Sequence, residues 1–178
     1  MSAYSSNGTG WRIALTVFLF AALVWLGATG ARAMIGNQLL SPGTLSFDEY
    51  LAPEAQRELF RLLSITSVVI ILSYVTALLS AMVFLRFSPF KLKEHGWLML
   101  SAILLFAFVP VEAYTLYLDA QMAYEEFFTT SDNQVFCDLF TKRVTTLAGA
   151  PVIAFLCYCT ISPLAVFRPF RRTPGEAA

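Results

Sequence analysis

The sequence predicts an all-α integral membrane protein: a four-transmembrane-helix bundle, N-in/C-in, with short amphipathic helices in two outer loops. Three observations predict it. Hydrophobic residues make up 57% of the 178 residues and charged ones only 13%, against about 25% charged in a typical soluble domain. The mean hydropathy is +0.65, and the apolar residues gather in four long blocks. Basic residues crowd one set of block ends and acidic residues the other.

A helix needs about 20 mostly apolar residues to cross a hydrocarbon core about 30 Å thick. The four blocks fall at about 13–31, 62–85, 97–118 and 144–167, in a single membrane domain over 1–178. Each is bracketed by charge: Arg12 and Arg32, Arg61 and Arg86, His95 and Asp119, Arg143 and Arg168. In lipid the backbone must satisfy its own hydrogen bonds, so these blocks are helices. They lack the short alternating segments of a β-barrel. The run Ala28-Thr29-Gly30-Ala31-Arg32-Ala33 also fits a leader-cleavage site. The first block is long for a leader, so a retained span is expected.

Lysine and arginine near helix ends set orientation. The amino terminus, the link 86–95 and the tail after Phe167 carry Arg12, Arg86, Lys91, Lys93, Arg168, Arg171 and Arg172, against Glu94 and Glu176. The loops at about 32–61 and 119–143 are predominantly acidic. The basic side is expected to be cytoplasmic, with Arg86, Lys91, Lys93, Arg168, Arg171 and Arg172 as anchors that favour an anionic leaflet. The expected location is the inner (plasma) membrane of a bacterium.

Taken in order, the first outer loop has a turn at Ser41-Pro42-Gly43-Thr44 and a capping box at Ser46-Phe47-Asp48-Glu49. Pro53 suits the first turn of a helix that carries Leu59, Leu62 and Leu63 into the second span. The link 86–95 is short, so spans two and three should form a tight hairpin. Span three should continue past Asp119 towards Phe128. Ser131 or Asp132 can cap a helix that places Val135, Phe136, Leu139 and Phe140 on one face. Such pieces lie on the membrane surface, cover the bundle, or simply extend the spans. The exits Val83–Lys91 and Val166–Arg171 echo each other, each with Arg, then Pro-Phe, then a base.

Small and hydroxylated residues mark packing seams, because close approach drives helix association in lipid. On span two these are Thr66, Ser73, Ala77 and Ser80. On span one they are Gly27 and Ala31, and on span four Ala148-Gly149-Ala150. Pro110, Pro151 and Pro163 should bend their spans.

The candidate functional polar site is Glu112 with Tyr114, Tyr117 and Gln121. Glu112 is the one carboxylate inside the expected spans, about 22 Å past Trp97 along the helix. A membrane carboxylate is a default functional candidate. The alternatives are snorkelling, or pairing with Lys142 or Arg143. The tyrosines fit an interfacial aromatic belt, or the rim of a quinone or lipid-headgroup pocket.

Much chemistry is excluded. His95 is the single histidine, so this chain cannot supply a bis-histidine haem. No metal set, phosphate loop or nucleophile elbow is present. Cys137, Cys157 and Cys159 form no disulfide framework; Cys137 is a lone thiol or a partner for another subunit. The few bases hug the membrane, which argues against nucleic acid. Size and topology are similar to those of tetraspan thiol-oxidising quinone reductases, but their paired outer-loop cysteines are missing. So are the Cys-Cys-Gly motif of tetraspanins and the paired cysteines of claudins.

The resulting expectation is a non-catalytic accessory subunit of a larger energy-transducing or transport complex. Other membrane subunits and lipids would be its partners. No cofactor is expected on this chain alone, though lipid or a cofactor shared with neighbours fits. The alternative is a small oligomeric transporter or channel using Glu112.

Overall fold

The computed structural model describes residues 7–41, 47, 51–90, 92, 94–129, 133–146 and 149–169. Among them are six helices: α1 Asn7–Asn37, α2 Pro53–Phe87, α3 Gly96–Ala107, α4 Val109–Phe128, α5 Asn133–Thr145 and α6 Ala150–Phe167. One isolated antiparallel bridge joins Leu40 to Phe47. With α3 and α4 taken as one unit, four helices are long and apolar enough to cross a membrane: Thr9–Asn37, Pro53–Phe87, Gly96–Phe128 and Ala150–Phe167. The chain is thus built as a multi-pass membrane protein. The cap at Ser131 or Asp132, the capping box apart from Phe47, the turn apart from Ser41, and Ala148 lie outside the described residues.

The helices begin and end where local chemistry dictates. Pro53 opens α2 from the first turn, where a missing N–H is not needed, and the helix runs unbroken into the second span. The third span is broken instead of merely bent. Pro110 has no N–H to bond the carbonyl of Phe106, and Phe108 turns out of the helix at φ −95°, ψ 2°. Its own N–H bonds Phe106 O, and the ladder restarts with Glu112 N–H on Phe108 O. The fourth span starts at Ala150 and not near Val144, because Val144 and Thr145 belong to α5. Gly149, at φ +87°, makes the turn between them.

α1 and α2 run antiparallel along their length. Ala14 meets Phe84 near one end, Trp25 meets Tyr74 in the middle, and Arg32 meets Ser67 near the other. The inward residues Trp25 and Arg32 on α1, and Leu39 just beyond its end, recur every seven positions. Phe60, Leu63, Ser67, Ile70, Tyr74, Ala77, Ala81 and Phe84 recur at threes and fours on α2. This is the apolar repeat of a left-handed helix pair.

The expected hairpin of spans two and three does not stay together. Phe84 and Leu98 touch beside the link, but α3 then packs on α6 while α4 packs on α2 and α5. The break at Phe108 permits this divergence. At the end bearing the termini, the bundle therefore splits into two helix pairs, α1–α2 and α3–α6. At the opposite end α4 and α5 close it, around Leu39, Phe60, Leu63, Met122, Phe136 and Phe140. Phe136 stacks on Phe60 with ring centroids 4.3 Å apart. α5 thus covers the bundle end with its aromatic face, although Val135 of that face is exposed.

Replacing Gly149 with Ala should destabilise the chain by about 1–2 kcal/mol, the cost of a Cβ in left-handed backbone. Thermal unfolding in detergent measures this, and an unchanged midpoint would contradict the role given to the turn.

Candidate functional site

Two features stand out inside the bundle: a cluster of charges where α1, α2, α4 and α5 meet, and an apolar cavity where the helix pairs part.

The cluster centres on Asp119, which is fully buried. Arg143 of α5 grips it with two bonds, Nε to Oδ1 at 2.5 Å and Nη2 to Oδ2 at 3.3 Å. Such a fork is the strong geometry for an arginine–carboxylate pair. Arg32 of α1 reaches the same carboxylate, Nη2 to Oδ1 at 2.9 Å. Arg32 also donates through Nη1 to Ser67 Oγ of α2 and lies against Met122 Sδ. Ser67 Oγ in turn donates to the carbonyl of Leu63 at 2.6 Å. One carboxylate therefore ties together three helices, with the hydroxyl of a fourth.

Its depth follows from helix length. Arg12 and Arg32 are 20 positions apart, about 30 Å of helix, the thickness of the hydrocarbon core. The cluster thus lies about one core thickness along α1 from Arg12, beneath the aromatic end of the bundle. Farther out, Arg57 of α2 pairs with Glu126 of α4 at 3.1 Å, which repeats the α2–α4 tie.

Glu112 lies seven residues before Asp119, on the same buried face of α4. It is in the first turn after the break, where a carboxylate complements unpaired N–H groups and the helix dipole. Thr115 Oγ1 donates to the Glu112 carbonyl at 2.9 Å and approaches Oε2 at 3.5 Å. Glu112, Asp119, Arg143 and Tyr158 share a pocket of about 30 Å³, room for roughly one water. Arg143, one of two bases expected to pair with Glu112, bonds Asp119 instead. Asp119, read from sequence as the outer flank of span three, is the more buried carboxylate.

The rest of the expected polar site divides from Glu112. Tyr117 is 58% exposed, and Gln121 Nε2 donates to its hydroxyl at 3.1 Å on the outer face of α4. Tyr114 is half-buried. These side chains do not line the Glu112 pocket. Of the expected seams, Ser73, Ala77 and Ser80 are buried against neighbours. Ser73 and Ser80 bond the carbonyls of Val69 and Thr76. Thr66 is half-buried and bonds the carbonyls of its own helix. Gly27 and Ala31 are exposed, and a Cβ on Gly27 would meet nothing. Their seam is unused within the chain. The close approach on α1 is at Gly36, where a Cβ would come within 3.2 Å of the Phe140 ring. Of the anchors, Arg86 is exposed and lies over Phe87, and Arg168 lies over Trp97. Lys91, Lys93, Arg171 and Arg172 lie outside the described residues.

The cavity, about 530 Å³, lies between the α1–α2 and α3–α6 pairs. Trp25, Tyr74 and Tyr158 close its inner end, with Trp25 centred 4.9 Å from Tyr74 and 4.7 Å from Tyr158. Among the described residues, no carboxylate lines it. Compared with protein-family models, curated proteins and solved structures, the chain matches none.

Asp119→Asn should cost about 3–5 kcal/mol, because it strands buried guanidiniums rather than removing a surface pair. Thermal unfolding in detergent reads this; a shift no larger than that of an exposed pair would refute the clamp. Cys137 on α5 offers a pH test. Its thiol is half-buried, with Gln56 Nε2 3.9 Å away. Burial first, and the charge of Asp138 second, push its pKa up. Less thiolate exists at neutral pH, so alkylation should be slow and should accelerate about tenfold per pH unit through the mildly alkaline range. Labelling of a variant with Cys157 and Cys159 replaced by Ser checks this, and a pH-independent rate would contradict it.

Proposed function

We propose that this chain is a non-catalytic accessory subunit of a larger membrane complex, energy-transducing or transport in kind, in a bacterial inner membrane. Both termini are cytoplasmic in this reading, and the clamped end with α5 faces outward. The charge distribution supports that orientation, since Arg12, Arg86 and Arg168 cap one end while acids prevail at the other.

The observation that carries the reading is where the membrane-embedded charges go. Asp119 is consumed in holding α1, α4 and α5 together. Glu112 sits in the first turn of α4 beside that cluster, in a pocket with space for about one water. It does not line the large cavity. A transporter would need polar groups along a path, whereas the polar groups here fasten helices. A second support is the outer face of α1. Gly27 and Ala31 lie open at a four-residue spacing, the pattern through which membrane helices approach one another closely.

The test is purification from native membranes in mild detergent, with mass spectrometry of what accompanies the chain. Larger membrane proteins in fixed stoichiometry are expected. Gly27→Leu should release them while changing the stability of the isolated chain by no more than about 1 kcal/mol, since position 27 is exposed and a Cβ there meets no intramolecular neighbour. Glu112→Gln should leave the activity of the associated complex in place. A species made only of this chain, with ion or solute flux in liposomes that Glu112→Gln abolishes, would establish the transporter alternative instead.

A further inference from the structure

The 530 Å³ cavity has a chemistry of its own, independent of the subunit reading. Its walls are the apolar side chains of four helices, opened by small residues such as Ala22 on α1 and Ala102 on α3. Its mouth is different. Trp11, Phe90, His95, Trp97 and Arg168 line it there. Phe90 holds the ring together, standing edge-on to Trp11 at 5.7 Å and to His95 at 5.4 Å.

Each tryptophan of the mouth carries a guanidinium. Arg12 lies over Trp11 at 5.4 Å, and Arg168 lies over Trp97 at 5.8 Å. Tryptophan with arginine is the side-chain pair that suits the boundary between hydrocarbon and headgroups. The adjoining link adds Lys91 and Lys93 against Glu94 in sequence. Arg168 is also held in an unusual way. It terminates α6 in the left-handed region, φ +46°, ψ +52°, and is the one such non-glycine residue among those described. A glycine there would relieve the backbone but would carry no charge. Strain retained at a charged residue beside a cavity is a pointer to use.

Dimensions favour one occupant. From Trp11 at the mouth to Trp25 at the closed end is 14 residues, about 21 Å of helix. A lipid tail occupies one leaflet, about 15 Å of the core. The volume lies within the range of small-molecule sites, about 300–1,000 Å³. We infer that this cavity is a binding site for one phospholipid, one of its two acyl tails between the α1–α2 and α3–α6 pairs and its anionic headgroup between Arg12 and Arg168. Charge complementarity selects the anionic headgroup, and an apolar, carboxylate-free wall selects the tail.

The test uses the full chain in detergent. It is stripped of lipid, then titrated with phosphatidylglycerol or phosphatidylcholine of identical tails and read by native mass spectrometry. One phosphatidylglycerol should bind, at least about tenfold more tightly than phosphatidylcholine, which is about 1.4 kcal/mol. Arg168→Gly should abolish that preference without lowering the thermal midpoint, since glycine suits the backbone there. Ala22→Phe, which projects into the cavity, should reduce binding of both lipids. Equal affinity for the two headgroups would overturn the inference. So would binding that neither variant changes, or retention of an uncharged hydrophobic molecule in place of phospholipid.

Discussion

Two guanidiniums from opposite regions of the chain converge on the carboxylate of Asp119, and the arrangement of the helices follows from that convergence. Arg32 arrives on α1 and Arg143 on α5, with Ser67 of α2 bonded behind Arg32. A buried charge without partners is strongly destabilising, so each helix end must be where its partner needs it. Hydrophobic packing alone would not fix this end so tightly in lipid, where apolar faces are equally content against tails. The cluster therefore supplies specificity of assembly, and the small aromatic core of Phe60, Phe136 and Phe140 shields it from water.

The opposite end is governed by the break at Phe108. A continuous third span would have to follow α2 along its whole length. Because Pro110 interrupts the ladder, α4 keeps to α2 and α3 turns away to α6. The divergence creates the cavity, and Trp25, Tyr74 and Tyr158 separate it from the charged cluster above. Order at one end thus comes from the charge cluster, and space at the other from the interruption. Glu112 stands at that interruption, which gives a membrane carboxylate a structural duty in the first turn of α4.

Much of the fold was legible in the sequence, and the site was legible only in pieces. The four spans followed from block length and hydropathy, and the start of α2 from a proline suited to a first turn; the run of span three past Asp119 towards Phe128 was legible too. That Tyr117 and Gln121 share a face was readable from helical spacing; that this face is apart from the Glu112 pocket was not. Five positions turn a helix by about 500°, so Tyr117 points about 140° away from Glu112, and only the packing decides which of the two directions is buried. Arg32, Asp119 and Arg143 each read as a charge flanking a span, which is the common role of such residues. A signal for Arg32 did exist: it stands seven residues from both Trp25 and Leu39, on the face that α1 buries.

Sequence by itself determined the membrane character, the number of helices long and apolar enough to cross, and the asymmetry of charge, because these depend on composition and on order along one chain. Tertiary structure alone decided which charges pair, that α3 leaves α2 for α6, and that Gly36 and not Gly27 makes the close contact within the chain. It also decided where the cavity lies. Those outcomes depend on residues as far apart in the chain as Trp25 and Tyr158 meeting in space, and an apolar helix carries no mark of which of its faces will be covered by a neighbour and which by lipid.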